Sequence, residues 1–165
     1  MPAVIVMLGS ASDAEKVRPC LEILRRLGIA HEARIASAHR TPDLVEKIIR
    51  KGEEQGCRVF ICAAGMAAHL AGAVAARTTR PVIGVPISSG ALCGLDALFS
   101  TVQMPPGFPV ATTALDQAGA KIAAWLAAEI LALQDESLAA KIGEARAKMR
   151  VDIAAASEAL ARDMA

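Results

Sequence analysis

The chain has 165 residues, of which 54% are hydrophobic and 2% are aromatic, and its formal net charge is +1. This length and apolar share suit one domain with a sizeable core built from Ala, Val, Ile and Leu. The near-neutral charge and the scarcity of aromatic side chains argue against nucleic-acid binding through a basic field or through base stacking.

The sequence predicts strands and helices that alternate along the chain. The sequence predicts strands over 3–8, 30–36, 58–64, 81–85 and 109–114, and the continuous apolar run of the first is typical of a strand buried on both faces. Apolar residues at helical spacing predict helices over 13–27, 42–55, 67–77, 95–102 and 117–133, followed by a charged helix from about 137 to the end. This order implies a parallel sheet with helices on both faces.

We expect a single domain over 1–165, with an α/β core over 1–135 and a C-terminal helix over 136–165. That helix carries a narrow apolar stripe, which suits packing on the chain's own body or on another subunit. No apolar run reaches the roughly 18 residues that a membrane span needs. The chain shows no basic leader region and no CxxC pair among its four cysteines, so we expect a reduced, cytoplasmic protein without a membrane partner.

The stretch Ser37–Pro42 places an imidazole beside a guanidinium just before a predicted helix. Thr41 fits the N-cap of that helix, with Pro42 as its first residue. His39 and Arg40 should therefore lie on a βα loop at the carboxyl end of a strand, where α/β proteins build their sites. An imidazole can transfer a proton near neutral pH, and a guanidinium can hold a phosphate or carboxylate through paired hydrogen bonds. The pair indicates a small anionic substrate that gains or loses a proton.

The first βα turn offers a second anion-binding feature. Gly9 permits a tight turn, and the hydroxyls of Ser10 and Ser12 stand beside the free N–H groups of a helix N-terminus. Ser12 and Glu15 also fit a capping box, in which Ser12 only caps the helix and Asp13 only complements its dipole. The turn has neither the GxGxxG of dinucleotide-binding folds nor the Gly-Lys-Ser/Thr of a P-loop.

The third and fourth βα turns lie on the same predicted edge. His69 follows a turn of small residues, and it is either structural or part of a site with His39. The Ser/Gly-rich loop over 87–94 is either an ordinary solvated loop or a segment that closes over a substrate. Cys93 has no activating partner beyond the same-edge histidines, and no GxSxG elbow occurs. Two separated histidines are a weak metal signal, so we expect no metal site.

Four segments stand in order along the chain: GSASD over 9–13, SAHRTP over 37–42, AAHL over 67–70 and VQMP over 102–105. Together they resemble the class I N5-carboxyaminoimidazole ribonucleotide mutases of purine biosynthesis, and the resemblance runs from the first strand to about residue 135. It implies a three-layer α/β/α flavodoxin-like fold with a parallel sheet and an extended C-terminal helix, assembled as a homo-octamer.

The resemblance also implies an isomerase that converts N5-carboxyaminoimidazole ribonucleotide to 4-carboxy-5-aminoimidazole ribonucleotide without cofactor, metal or ATP. His39 would be the general acid and base. Ser10, Asp13 and Arg40 would bind the ribose 5-phosphate portion of the substrate. The full set of expected substrate-binding residues is Ser10, Ser12, Asp13, Ser37, Arg40, Gly65, Ala68, His69 and Leu70.

The chain departs from the usual class I sequence around the third turn. Ala63 and Met66 replace glycines and Ala71 replaces a proline, which alters the shape of the pocket. One alternative is a class II carboxylase, which joins aminoimidazole ribonucleotide and CO2 directly; its third turn typically reads Gly-Arg-Ser-Asn, so residues 66–69 favour the mutase. A second alternative is a non-catalytic nucleotide-binding module of the same fold, which has no need of His39.

Overall fold

A computed structural model describes residues 1–164 and contains one parallel sheet with the strand order β2-β1-β3-β4-β5. The strands are β1 Val4–Leu8, β2 His31–Ile35, β3 Val59–Gly65, β4 Val82–Ile87 and β5 Ala111–Thr112. The helices are α1 Ala14–Arg26, α2 Pro42–Glu54, α3 Leu70–Ala75, α4 Leu95–Val102, α5 Asp116–Ala132 and α6 Glu136–Asp163. A short 3-10 turn over Ala11–Asp13 precedes α1. The fold is α/β and flavodoxin-like, as the sequence predicts.

The core lies around the three inner strands. Every residue of β1 and β4 is buried, which is the pattern of strands covered on both faces and explains their unbroken apolar sequences. Phe60 on β3 is the largest fully buried side chain, and aliphatic residues surround it. The small number of aromatic residues is therefore matched by close packing of Ala, Val, Ile and Leu.

The register of the ladder brings the carboxyl ends of three strands together. Leu8 of β1 pairs with Ile35 of β2 on one side and with Ala63 of β3 on the other. Because the three strands are parallel and in register at this point, the turns that follow them leave the sheet side by side. The predicted site residues on these turns are thereby brought to one edge.

The predicted bounds of β4 and β5 differ from the structure by more than one residue at an end. β4 continues through Pro86 to Ile87, because Pro86 lies beyond the last pair with β5, where a missing backbone N–H is tolerated. β5 has only two residues instead of the six predicted over 109–114. The Gly84 carbonyl instead accepts hydrogen bonds from the N–H and the hydroxyl of Thr113, just past the strand.

The chain divides into two compact units, residues 1–127 and residues 128 onward. In the second unit, Asp135 caps α6 by accepting a hydrogen bond from the Leu138 N–H at 3.0 Å. Every described residue of α6 from 146 on is exposed, including Met149, Val151 and Ile153. The single domain expected over 1–165 stays a prediction. Within residues 1–164, no helix is long and apolar enough to cross a membrane.

Candidate active site

A cavity of about 510 Å³ opens at the carboxyl edge of the sheet. Its walls come from the turns after β1, β2 and β3, with one residue from the loop after β4. It is lined by Gly9, Ser10, Ser12, Asp13, Ser37, Ala38, His39, Arg40, Ala64, Gly65, Met66, Ala67, His69, Leu70 and Ser89. All of the expected site residues except Ala68 are in this set; Ala68 is 2% exposed and lies in the core.

A capping box organises the first turn, and it begins at Ser10, whereas the sequence predicts a box that begins at Ser12. The Ser10 N–H donates to Oδ2 of Asp13 at 3.1 Å, and the Ser12 N–H donates to Oγ of Ser10 at 3.4 Å. Glu15, the expected partner of Ser12, instead forms an ion pair with Arg18. The 3-10 turn causes this shift, because it starts the helical path at Ala11 and makes Ser10 the cap.

Asp13 is a buried carboxyl at the floor of the cavity. Burial raises its pKa above the ordinary value of 3.8, and this outweighs the opposite effects of hydrogen bonds from Ser12 and Ser10 and of the Lys16 and Arg40 charges. A carboxyl in this position can accept a hydrogen bond from a sugar hydroxyl, and it gains from a ligand that brings it a donor.

Arg40 lies across the mouth of the first turn. Its Nη2 donates to the Gly9 carbonyl at 3.0 Å, and its backbone N–H donates to the Ser37 hydroxyl at 3.2 Å. The guanidinium is exposed and keeps further N–H donors for an anion. Thr41 and Pro42 begin α2 as predicted, and the Thr41 hydroxyl donates back to the Ser37 carbonyl at 3.2 Å. These contacts hold the loop between β2 and α2 in one shape.

His39 and His69 form a hydrogen-bonded pair in the cavity. Nε2 of His39 lies 2.8 Å from Nδ1 of His69, and the rings meet edge to face with centroids 4.9 Å apart. One nitrogen of this contact carries a proton and donates it to the other, so the pair shares a single proton along that line. Both rings are exposed and can be reached by a ligand. The direct contact with His39 favours the interpretation of His69 as part of a site, which stays a prediction.

The wall after β3 consists of small residues and one methionine. A Cβ on Gly65 would lie 2.5 Å from Oγ of Ser89 and 2.9 Å from the Ile87 carbonyl, so only glycine fits there. Met66 has a φ of 54° and its side chain is 62% exposed. The departure from glycine at this position therefore leaves the left-handed backbone in place and adds an apolar side chain at the mouth of the cavity.

Ser89, Ala38 and Ala64 also line the cavity, and the sequence does not mark them as site residues. Ser89 belongs to the loop over 87–94 that was expected at this edge, and its place in the cavity is visible only in the structure. Ala38 and Ala64 contribute small apolar surfaces, for which a sequence offers no chemical signal. Among the residues that the structure describes, no group of three or more His, Cys, Asp or Glu side chains is placed to hold a metal ion.

Comparison with known proteins gives a consistent set of relatives. A sequence model of the AIR carboxylase family matches residues 3–152. The chain is 46% identical to the N5-carboxyaminoimidazole ribonucleotide mutase of Bacillus subtilis over 96% of this chain and 98% of that protein. It is 49% identical to the mutase of Methanocaldococcus jannaschii over 94% and 95% of the two chains. The crystal structure of PurE from Treponema denticola superposes with a TM-score of 0.84 at 29% identity, covering 93% of this chain and 94% of the other.

The raised pKa of Asp13 makes stability depend on pH in a defined direction. Between the ordinary value of 3.8 and the raised value, the folded chain holds the Asp13 proton more tightly than the unfolded chain, so stability falls as pH rises through this window. We expect Asp13→Asn, which can still accept from the Ser10 N–H, to become more stable relative to the parent as pH rises from 4 to 7, measured by urea unfolding.

The matched control is Glu15→Gln, because Glu15 is an exposed acidic residue that closely follows Asp13 in the chain. The Glu15→Gln variant should not become more stable relative to the parent as pH rises over the same range, because the substitution removes only an exposed ion pair with Arg18. A difference for Asp13→Asn that is flat or that falls with rising pH would contradict the role assigned to burial.

Proposed function

The chain belongs to the AIR carboxylase family, and we propose that it converts N5-carboxyaminoimidazole ribonucleotide to 4-carboxy-5-aminoimidazole ribonucleotide in purine biosynthesis. The observation that carries the proposal is the His39–His69 hydrogen bond of 2.8 Å in a cavity that also holds an exposed guanidinium. Relatives that share nearly half of its residues over almost the whole chain carry the mutase name. This favours the mutase over the carboxylase that uses CO2 directly, and over a module that only binds nucleotides.

The first turn and Arg40 are the proposed anchor for the ribose 5-phosphate. The hydroxyls of Ser10 and Ser12 and the N-terminal turn before α1 provide hydrogen-bond donors, and the Arg40 guanidinium provides the compensating charge. Ser37 fixes the backbone of Arg40. Asp13 is suited to the ribose hydroxyls, since a carboxylate would repel a phosphate. Anchoring these groups places the aminoimidazole ring near the two histidines.

His39 is the proposed acid and base. In the first step the bond between nitrogen and the carboxylate carbon breaks, CO2 departs, and His39 gives its proton to the nitrogen that keeps the electron pair. In the second step C4 of the ring attacks the carbon of CO2 and forms the new carbon–carbon bond. His39 then takes the proton from C4, which restores the aromatic ring. One imidazole can serve both transfers, because the ring nitrogen that has given up its proton is itself the base that takes the next one.

The wall after β3 is the proposed holding place for CO2 between the two steps. Gly65, Leu70 and the small residues beside them form a surface without charge, and His69 stands at its end beside His39. A compact apolar surface retains a neutral molecule and excludes water from the reactive ring. Met66 extends this surface at the cavity mouth. Ala68 supports the wall from the core side.

The substrate assignment is tested by supplying each ribonucleotide separately. We expect turnover of N5-carboxyaminoimidazole ribonucleotide without bicarbonate or ATP. Turnover is measured from the absorbance of the product, 4-carboxy-5-aminoimidazole ribonucleotide. Aminoimidazole ribonucleotide should give product only slowly, even with added bicarbonate. Efficient use of aminoimidazole ribonucleotide and CO2, with no turnover of the N-carboxylated substrate, would support the carboxylase instead.

Substitution of His39 tests the proton-transfer role. We expect His39→Asn to lower kcat by roughly 10²- to 10⁴-fold, the usual contribution of general acid–base catalysis, while nucleotide binding measured by calorimetry is largely kept. His31→Asn is the matched control, because His31 lies at the opposite end of β2, where its Nδ1 contacts the Ile29 carbonyl at 2.7 Å. Near-normal turnover by His39→Asn would exclude His39 as the acid and base.

We propose that the protein acts in the cytoplasm as a homo-octamer. The helix α4 presents Leu95, Phe99 and Val102 on one face, and these side chains are 53%, 59% and 49% exposed. The exposed C-terminal half of α6 adds further apolar side chains. Exposed apolar side chains grouped on one helix are often covered by another protein surface, and a helix without packing is marginal in water.

Light scattering tests the assembly. The purified chain should have eight times the mass of one copy at micromolar concentration, and Phe99→Asp should shift the distribution to smaller species, because burying a carboxylate in an apolar contact is costly. A stable monomer with full activity would overturn the proposal.

A further inference from the structure

We infer that Lys16, Ser88 and Asp116 form a clamp that positions the loop over 88–94, and with it Ser89, against the active-site cavity. The clamp joins three elements of the first unit: the first turn of α1, the end of β4 and the start of α5. None of its three residues lines the cavity in the part of the chain that the structure describes. Asp116 is thus a positioning residue that acts through Ser88. The kinetic consequences rest on the function proposed above.

The contacts within the clamp are dense. Oδ1 of Asp116 accepts a hydrogen bond from the Ser88 N–H at 2.8 Å, and Oδ2 accepts one from the Ser88 hydroxyl. Nζ of Lys16 donates to the Ser88 carbonyl at 2.6 Å and to its hydroxyl at 2.8 Å, and it lies 3.0 Å from Oδ1 of Asp116. The backbone N–H, the carbonyl and the hydroxyl of Ser88 are therefore all bound by two charged side chains.

The backbone of Asp116 is unusual for a residue with a side chain. Its φ of 56° lies in the left-handed region, which glycine occupies freely and which most other residues avoid. Aspartate tolerates this region better than bulkier residues do. This backbone conformation directs the carboxylate at Ser88, which lies 28 positions earlier in the chain. The hydrogen bonds to Ser88 therefore accompany a backbone conformation that is locally unfavourable.

The carboxylate of Asp116 is charged at neutral pH. Burial would raise its pKa, but the hydrogen bonds from Ser88 and Lys16 and the Lys16 charge together outweigh burial and leave the pKa below its ordinary value. The ionised form is the one that accepts these bonds, so the clamp is formed at the pH at which an enzyme of this class works.

The clamp reaches the site through the next residue. Ser89 lines the cavity, and a Cβ placed on Gly65 would lie 2.5 Å from the Ser89 Oγ, so Ser89 stands directly beside the Gly65 backbone. Beyond Ser89 the loop contains three residues with positive φ, namely Gly90, Cys93 and Gly94. A loop of this kind has many alternative paths, so fixing its first residue limits where Ser89 can stand. Loss of the clamp leaves the substrate to order the loop upon binding.

Asp116→Gly and Asp116→Asn test the inference. Both glycine and asparagine accept the left-handed backbone. Glycine offers no side-chain acceptor, and the one amide oxygen of asparagine cannot accept from the Ser88 N–H, the Ser88 hydroxyl and the Lys16 ammonium together. We expect KM for the N-carboxylated substrate to rise about tenfold in both, with kcat within about twofold of the parent, because a binding contribution is lost and the reacting groups are untouched. The melting temperature should change by only a few degrees.

Further variants separate positioning from general stability. Lys16→Met should raise KM in the same way, Lys16→Arg should restore most of the parent value, and Lys16→Met should add little in the Asp116→Gly background. Arg18→Met is the matched control, because it breaks an exposed ion pair with Glu15 on the same helix and should leave KM unchanged.

Direct binding distinguishes failure of the clamp from failure of the proposed function. Aminoimidazole ribonucleotide is titrated into the parent protein and into Asp116→Gly by calorimetry. Binding by the parent with about tenfold weaker binding by the variant supports the clamp. Equal affinities, or a KM within twofold of the parent, would overturn it while leaving the function standing. Absence of binding to the parent would instead count against the proposed function, and the clamp as a substrate-positioning device would fall with it.

Discussion

The parallel pairing of β1 with both of its neighbours is the constraint from which the site follows. The pair of Leu8 with Ile35 ends β1 and β2 at one level, and β3 continues past Ala63 only to Gly65, so three separate turns converge without any long insertion. β1 and most of β3 are apolar and buried on both faces, whereas β2 is a polar and largely exposed edge strand. A shift of β1 by one residue would turn its core side chains to the opposite faces of the sheet, and it would also separate the turns that form the site. Packing and site geometry therefore depend on the same register.

The sequence predicts this arrangement well where local chemistry is unambiguous. Thr41 and Pro42 mark a helix start by their own conformational preferences, and the structure places α2 there. The carboxyl-edge positions of His39 and His69 follow from strand order alone. Their hydrogen bond does not, because it depends on the relative rotation of two loops that are 30 residues apart. Patterning can bring two residues to one edge, but it cannot set a distance between two rings.

Other features lie outside what local patterns can indicate. Ser12 and Glu15 have the spacing of a capping box, yet the extra 3-10 turn gives that role to Ser10 and Asp13. Pro86 reads as the end of a strand, and only the short pairing of β5 shows why the strand continues. Asp116 carries no sign of a left-handed backbone, since such positions are usually read from glycine or asparagine. For the end of β4 and for Asp116, contacts with residues distant in sequence decide the local conformation.

The contact between the two imidazoles has a consequence for how far the cavity must close. In the proposed cycle the pair begins and ends with the same complement of protons, so a turnover draws none from the buffer and returns none to it. Water at the exposed rings is then no obstacle to proton supply. Only CO2 has to be enclosed, because it must reach C4 of the ring before it diffuses away. The cavity therefore needs to exclude solvent only along the wall of small residues after β3 and at the rim of that wall. Solvent access to the two histidines has little effect on the reaction.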